Sequence, residues 1–144
     1  MKREETVDFQ IKSCWHSISR MYNQKANMHG ITTSMGFVLI NIHSSEGTAA
    51  TKIAPQMGLE PRSLTRLLKS MEEKKLIVKS QDPLDKRSVR VFLTEKGKQK
   101  KFEAVSIVKE FNIKVRSKLS DEEFSLFFVL FQKINSAIVE FQNP

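Results

Sequence analysis

The run Glu60-Pro61-Arg62-Ser63-Leu64-Thr65-Arg66-Leu67-Leu68-Lys69-Ser70-Met71 decides the architecture. Leu64, Leu67, Leu68 and Met71 recur at the three- and four-residue spacing that puts them on one helix face. Arg62, Thr65, Arg66 and Lys69 fall on another. Pro61 at the first helical position sacrifices no hydrogen bond, because that N–H has no partner in the helix anyway. Just upstream, a short helix is predicted from about Ala50 to Met57, closed by Gly58. Two short helices joined by a tight glycine-containing turn form a helix-turn-helix, whose second helix docks in the major groove of DNA.

Working outward, the periodicity after Lys75 changes from helical to alternating. Ile77-Val78-Lys79 starts one strand, and Val89, Val91 and Leu93 alternate with Arg90 and Phe92 in a second. Gln81-Asp82-Pro83-Leu84-Asp85-Lys86-Arg87 joins them through an Asp-Pro turn former. The result is a charged β-hairpin, so the motif is a winged helix-turn-helix.

Three long helices flank it. Val7, Ile11, Cys14/Trp15, Ile18 and Met21/Tyr22 mark a helix from Val7 to Met28, ended by His29-Gly30. Thr32-Thr33-Ser34 offers caps for a further helix with Met35, Val38, Leu39 and Ile42 inward. Thr94 caps a helix from Glu95 to about Ser117, with Phe102, Val105, Val108, Phe111 and Val115 on one stripe. Ser120-Asp121-Glu122-Glu123 is a capping box that opens the last helix. There Phe124, Phe127, Phe128, Phe131, Ile134, Ile138 and Phe141, with Leu126, Val129 and Leu130, are apolar nearly all round. Such a helix must be buried on all sides, and a partner subunit is the simplest cover. The competing reading packs it inside its own chain.

The 144 residues suit one domain, with 40% hydrophobic and 28% charged side chains. Net charge is +8, concentrated in residues 62–118, where 17 basic and 7 acidic side chains leave +10. A basic middle of this kind suits a nucleic-acid-binding module, although charge alone would also serve solubility. The longest unbroken apolar run, Leu126 to Phe131, is far short of a membrane span, and no signal peptide follows Met1. A cytoplasmic protein without membrane partners is the expectation. One cysteine, Cys14, forms no internal disulfide, and His16, His29 and His43 lack metal-ligand spacing. No nucleophile elbow, phosphate loop or zinc-protease motif is present, so neither an enzyme nor a cofactor is expected.

The order of these elements, and four segments in series, resembles the MarR family of bacterial winged helix-turn-helix transcription regulators. The segments are Arg62-Ser63-Leu64-Thr65-Arg66-Leu67-Leu68, Met71-Glu72-Glu73-Lys74-Lys75-Leu76-Ile77, Asp82-Pro83-Leu84-Asp85-Lys86-Arg87-Ser88-Val89-Arg90 and Leu93-Thr94-Glu95-Lys96-Gly97. The resemblance covers roughly Val7 to Phe141. It implies a mainly α fold with a small β-hairpin wing, in a single domain over 1–144. Residues 32–94 would form the DNA-binding lobe, and 5–30 with 95–142 a helical dimerisation region. It further implies a homodimeric repressor of a pseudo-palindromic operator, released by a small aromatic or phenolic effector. Three positions depart from the pattern. Pro55 lies in the first motif helix and requires that helix to start near Thr51. Lys75 stands where a glycine is usual, and Gly36 where an aromatic is usual.

The chemistry of the binding surface follows from residue type. Arg62 and Arg66 can grip guanine O6 and N7 with both arms of a guanidinium. Ser63 and Thr65 are short donors for phosphates or base edges, and Lys69 adds charge. In the wing, the resemblance assigns Arg87 to the minor groove and Asp85 to orienting it, leaving Lys86 and Arg90 for phosphates. An effector cleft between the first two long elements would be lined by Trp15, His16, Ser19, Met35 and Phe37. Two other readings stay open: a winged-helix protein-interaction module without an operator, and a thiol-based regulator using Cys14. For Cys14 a buried structural role is the simpler expectation.

Overall fold

A computed structural model describes residues 1–144. After a short 3-10 turn at Arg3–Glu5, the elements are α1 (Val7–Met28), α2 (Thr33–Ile40), β1 (Thr48–Ala49), α3 (Ala50–Met57), α4 (Pro61–Glu73), β2 (Ile77–Gln81), β3 (Val89–Leu93), α5 (Glu95–Arg116) and α6 (Asp121–Gln142). They fall into two compact units, Met1–Ile107 and Val108–Pro144.

The first unit is built on one core. Val38, Leu39 and Ile42, from α2 and the turn after it, meet Ile53 of α3 and Leu64, Leu68 and Met71 of α4. Leu76, Ile77, Val91 and Leu93 close it from the wing. The expected hairpin gains a third strand, because β1 pairs antiparallel with β3 and gives the order β1-β3-β2. Two residues between a polar loop and the first residue of α3 carry too short a pattern for alternation to reveal them. In the main ladder Ile77 faces Leu93 and Lys79 faces Val91, so one face of the hairpin lies on the core.

Local chemistry sets the ends of the helices. Thr32 accepts from the Met35 N–H at 3.2 Å and caps α2. Gly58, at φ 63, ends α3 in the left-handed region, with Leu59 N–H bonded to the Ala54 carbonyl. Helix α3 starts at Ala50, one residue earlier than Pro55 was expected to require, and Pro55 is carried inside it. Lys75 takes the left-handed conformation itself, at φ 60, and the closing bond from Leu76 N–H to the Met71 carbonyl still forms. Thr94 accepts from the Gly97 N–H at 3.0 Å and donates to the Lys75 carbonyl at 2.6 Å, fastening the start of α5 to the end of α4.

The apolar stripes of the long helices are less covered than their patterns suggest. In α1 only Tyr22 and Ala26 are buried, whereas Val7, Ile11 and Trp15 are exposed. In α5 the buried positions are Gly97 and Ala104, and Phe102 is 69% exposed.

The second unit holds the end of α5 and all of α6. Ser120 and Glu123 make both bonds of the capping box. Arg116 stacks over the Phe124 ring at 4.1 Å and pairs with Asp121. Phe124, Phe127, Phe128 and Phe131 form a chain of ring contacts along α6, yet no residue of this helix is buried. By length and composition α6 could cross a membrane, with a mean hydropathy of 1.4. The polar residues that interrupt its apolar runs had hidden that property from a count of consecutive apolar residues.

Candidate nucleic-acid interface

Helix α4 separates its two faces cleanly. Leu64, Leu68 and Met71 are buried, whereas Arg62, Ser63, Thr65, Arg66 and Lys69 are exposed. Three cationic groups and a free hydroxyl therefore share an outward helix face with no acidic residue in the first turn. Thr65 is the exception among the donors: its hydroxyl donates to the Pro61 carbonyl at 2.9 Å. In this rotamer it offers DNA a lone pair and not a proton.

The wing is organised by a carboxylate that sequence reading took only as part of a turn. Asp82 is buried, and its Oδ1 accepts from the Leu84 N–H at 2.9 Å. Its Oδ2 lies 3.5 Å from Nη1 of Arg90. Arg90 also donates through Nε to the Glu46 carbonyl at 2.8 Å and through Nη2 to the Gly47 carbonyl at 3.4 Å. Arg90 was expected at a phosphate, and this placement corrects that expectation: all three nitrogens are engaged in tying the wing to the loop before β1. No local spacing signals this pair, because the other partners of Arg90 lie in the loop before β1.

Asp85 and Arg87 are also brought together, though through the backbone. Asp85 Oδ1 accepts from the Arg87 N–H at 3.0 Å, and the Ser88 N–H returns to the Asp85 carbonyl at 3.0 Å. Asp85 thus shapes the turn that presents Arg87, and the Arg87 guanidinium stays exposed beside exposed Lys86.

The MarR family model matches residues 31–89, from two residues before α2 to the first residue of β3. SarZ of Staphylococcus aureus is 30% identical over 103 residues, 69% of this chain and 70% of SarZ. The chain belongs to the MarR family. Another relative, the transcriptional regulator TtmR of Methylorubrum extorquens, is 30% identical over 90 residues, 62% of this chain but only 46% of TtmR. The chain thus spans about half of that longer relative. Among solved structures, the S. aureus MepR–DNA complex matches with a TM-score of 0.84 and 26% identity, covering 92% of this chain and 98% of MepR. The regulator SlyA shares the fold, with a TM-score of 0.78 and 21% identity over 91% of this chain and 92% of SlyA. As a MarR-family member the chain is a DNA-binding transcription regulator and not an enzyme.

Of the expected effector residues, Trp15, Ser19 and Phe37 line one hollow of 420 Å³ with Asn23, Gln56 and Met57. Phe37 is held there by an edge-to-face contact with Tyr22, ring centres 5.7 Å apart. Two expectations fail. Met35 is 5% exposed, because it packs into the core of the first unit. His16 lies on a different stripe of α1 and lines a separate hollow with Arg3, Phe9 and Arg20. Cys14 is exposed in the single chain, on the same stripe of α1 as Val7 and Ile11. Gly36, which stands where an aromatic is usual, is buried against Ala104, so it serves close packing of α2 on α5.

Proposed function

We propose that this MarR-family chain is a homodimeric repressor that reads a pseudo-palindromic operator and is released by a small, uncharged or weakly polar aromatic effector. The observation that carries the reading is the outward face of α4, where Arg62, Ser63, Arg66 and Lys69 are exposed over a fully buried Leu64-Leu68-Met71 face. Arg62 and Arg66 read base edges in the major groove, Ser63 and Lys69 hold phosphates, and Arg87 enters the minor groove with Lys86 beside it. MepR, 26% identical over nearly its whole length, was solved on DNA, which supports the same use of this surface.

Dimerisation is supported by the uncovered apolar faces. Val7, Ile11 and Trp15 in the first unit, and Leu126, Phe127, Phe128 and Leu130 in the second, are exposed in the single chain. Apolar area of that extent is rare on a soluble monomer. The effector reading rests on the Trp15–Phe37 hollow, whose wall of aromatic rings and amides suits a flat molecule with hydrogen-bonding edges.

The test is selection of preferred duplexes from random sequence, using purified protein at near-physiological salt. An inverted repeat with half-sites about one helical turn apart is expected. Sequence-blind binding that disappears with salt would overturn the operator reading. Sedimentation without detergent should give twice the 16.6 kDa chain mass; a chain that stays in solution only with detergent would assign α6 to lipid instead.

A further inference from the structure

The tip of the wing carries an apolar side chain that nothing covers: Leu84 is 94% exposed. It is also held in place. Asp82 N–H bonds to the Ser88 carbonyl at 3.0 Å and closes the loop, and the Asp82 carboxylate fixes the Leu84 amide at 2.9 Å. Arg90 holds that carboxylate from the other side, and Pro83 fixes the backbone angle between them. Exposed Lys86 and Arg87 follow two and three residues after the leucine, so the tip combines two cations with one rigid apolar projection.

A single exposed leucine is ordinary on a protein surface; this one is set apart by its rigid loop and the neighbouring cations. A minor groove gains from such a residue, because apolar side chains inserted at a base step unstack it and bend the duplex around the protein. We propose that Leu84 is such a wedge: Arg87 and Lys86 draw the wing tip to the groove, and Leu84 presses between base pairs there. This rests on the reading above that the wing meets DNA. The wedge would make the chain sensitive to the flexibility of the step beneath it, favouring a pyrimidine–purine step such as TA over a stiff A-tract. That is specificity at a position where no side chain reads a base edge.

The experiment uses the full-length chain and an operator recovered by selection, in two versions with TA or AA at the step under the wing tip. Bend angle is read by end-to-end fluorescence transfer, and unstacking by 2-aminopurine placed at that step. Wild type and Leu84→Met should bend the TA duplex and brighten the probe. Leu84→Ser, with unchanged thermal stability, should straighten the duplex, leave the probe dark and shrink the TA-over-AA preference, by roughly tenfold at most. Equal bending and equal preference in Leu84→Ser would overturn the wedge while leaving the operator reading intact. A loss of dimer in Leu84→Ser would also overturn it, by assigning the leucine to a protein contact. Absence of any selective complex with wild type would instead remove the operator reading, and the wedge with it.

Discussion

Gly97 lies against the Leu76 backbone so closely that a Cβ on Gly97 would stand 2.0 Å from the Leu76 carbonyl oxygen. That oxygen already accepts from the Thr94 N–H at 3.1 Å and belongs to a residue that is 1% exposed, so it has nowhere to retreat. Gly97→Ala is therefore expected to destabilise the fold by about 1–3 kcal/mol, the usual range for overpacking. Gly36→Ala is the control: its Cβ would meet Ala104 and Ile31 at 3.8 Å, an ordinary contact in a helix. It should stabilise by about 0.5–1 kcal/mol. Urea midpoints of the two variants check both signs.

Lys75 closes α4 at φ 60, a conformation that costs a non-glycine residue roughly 1–2 kcal/mol. Its side chain makes no bond that offsets this, since Lys75 contributes its backbone N–H to Glu72 and its carbonyl to Thr94. Lys75→Gly keeps both and should raise stability by about 1 kcal/mol. A variant no more stable than wild type in urea would show that the lysine side chain has a role the cap does not explain.

These two positions show what could be read from the chain and what could not. The α4 pattern, the Thr32 and Ser120 caps and the wing strands follow from spacing and cap chemistry, because those are local. The segment resemblance placed Lys75 where a glycine is usual, but that the lysine takes the left-handed conformation itself, at φ 60, is visible only in the structure. The inward turn of Arg90 and the burial of Asp82 were not legible, since both depend on Glu46 and Gly47, more than forty residues away in sequence from Arg90. Likewise Met35 and His16 share a face with cleft residues only if α1 and α2 are given a mutual rotation that spacing does not supply. On α5 the buried side chain is Ala104, off the stripe that Phe102 marks, and which residue would pack within the chain was likewise not set by spacing.

The Asp82–Arg90 pair predicts a local effect. Arg90→Ala leaves a buried carboxylate without its cation, and an unsatisfied buried group costs about 1–3 kcal/mol or more when charged. Hydrogen exchange should accelerate at Leu84 and Ser88, the amides of the tip, with little change at Leu39 or Met71. Arg90→Lys restores charge but not the three-way grip, so it should rescue only part of the protection.

Glu103 predicts an acid limit. Its partial burial works to raise the carboxyl pKa, but Lys100 and Gln99 donate to it, and the Lys100 charge and the nearby His29 ring oppose that burial; the net result is a lowered pKa. A carboxyl whose folded pKa lies below its unfolded one stabilises the fold above the unfolded value. That contribution is lost as pH falls through the folded value. Wild type should therefore lose thermal stability below the ordinary glutamate range, while Glu103→Gln, lower at neutral pH, should show a flatter profile over the same interval. Parallel melting curves from neutral to acid pH would contradict this assignment.

The exposed arginines of α4 and the wing should fail in different ways. Arg66 is placed on the outward face of α4, and a guanidinium with both arms on guanine discriminates by about 1–3 kcal/mol against the wrong base. Arg66→Ala is expected to lower affinity for the selected operator while leaving scrambled duplex binding nearly unchanged. Arg87 is presented by the Asp85 turn, and in the proposed minor-groove role it would respond to groove width and potential, so Arg87→Ala should weaken binding to many sequences together. Asp85→Ala, which removes the bond to the Arg87 N–H, should reproduce part of that uniform loss without removing any cation. Titrations of cognate and scrambled duplexes at matched salt separate the two patterns. Equal losses on both duplexes for Arg66→Ala would withdraw base reading from α4 at that position and leave the arginine as a phosphate contact.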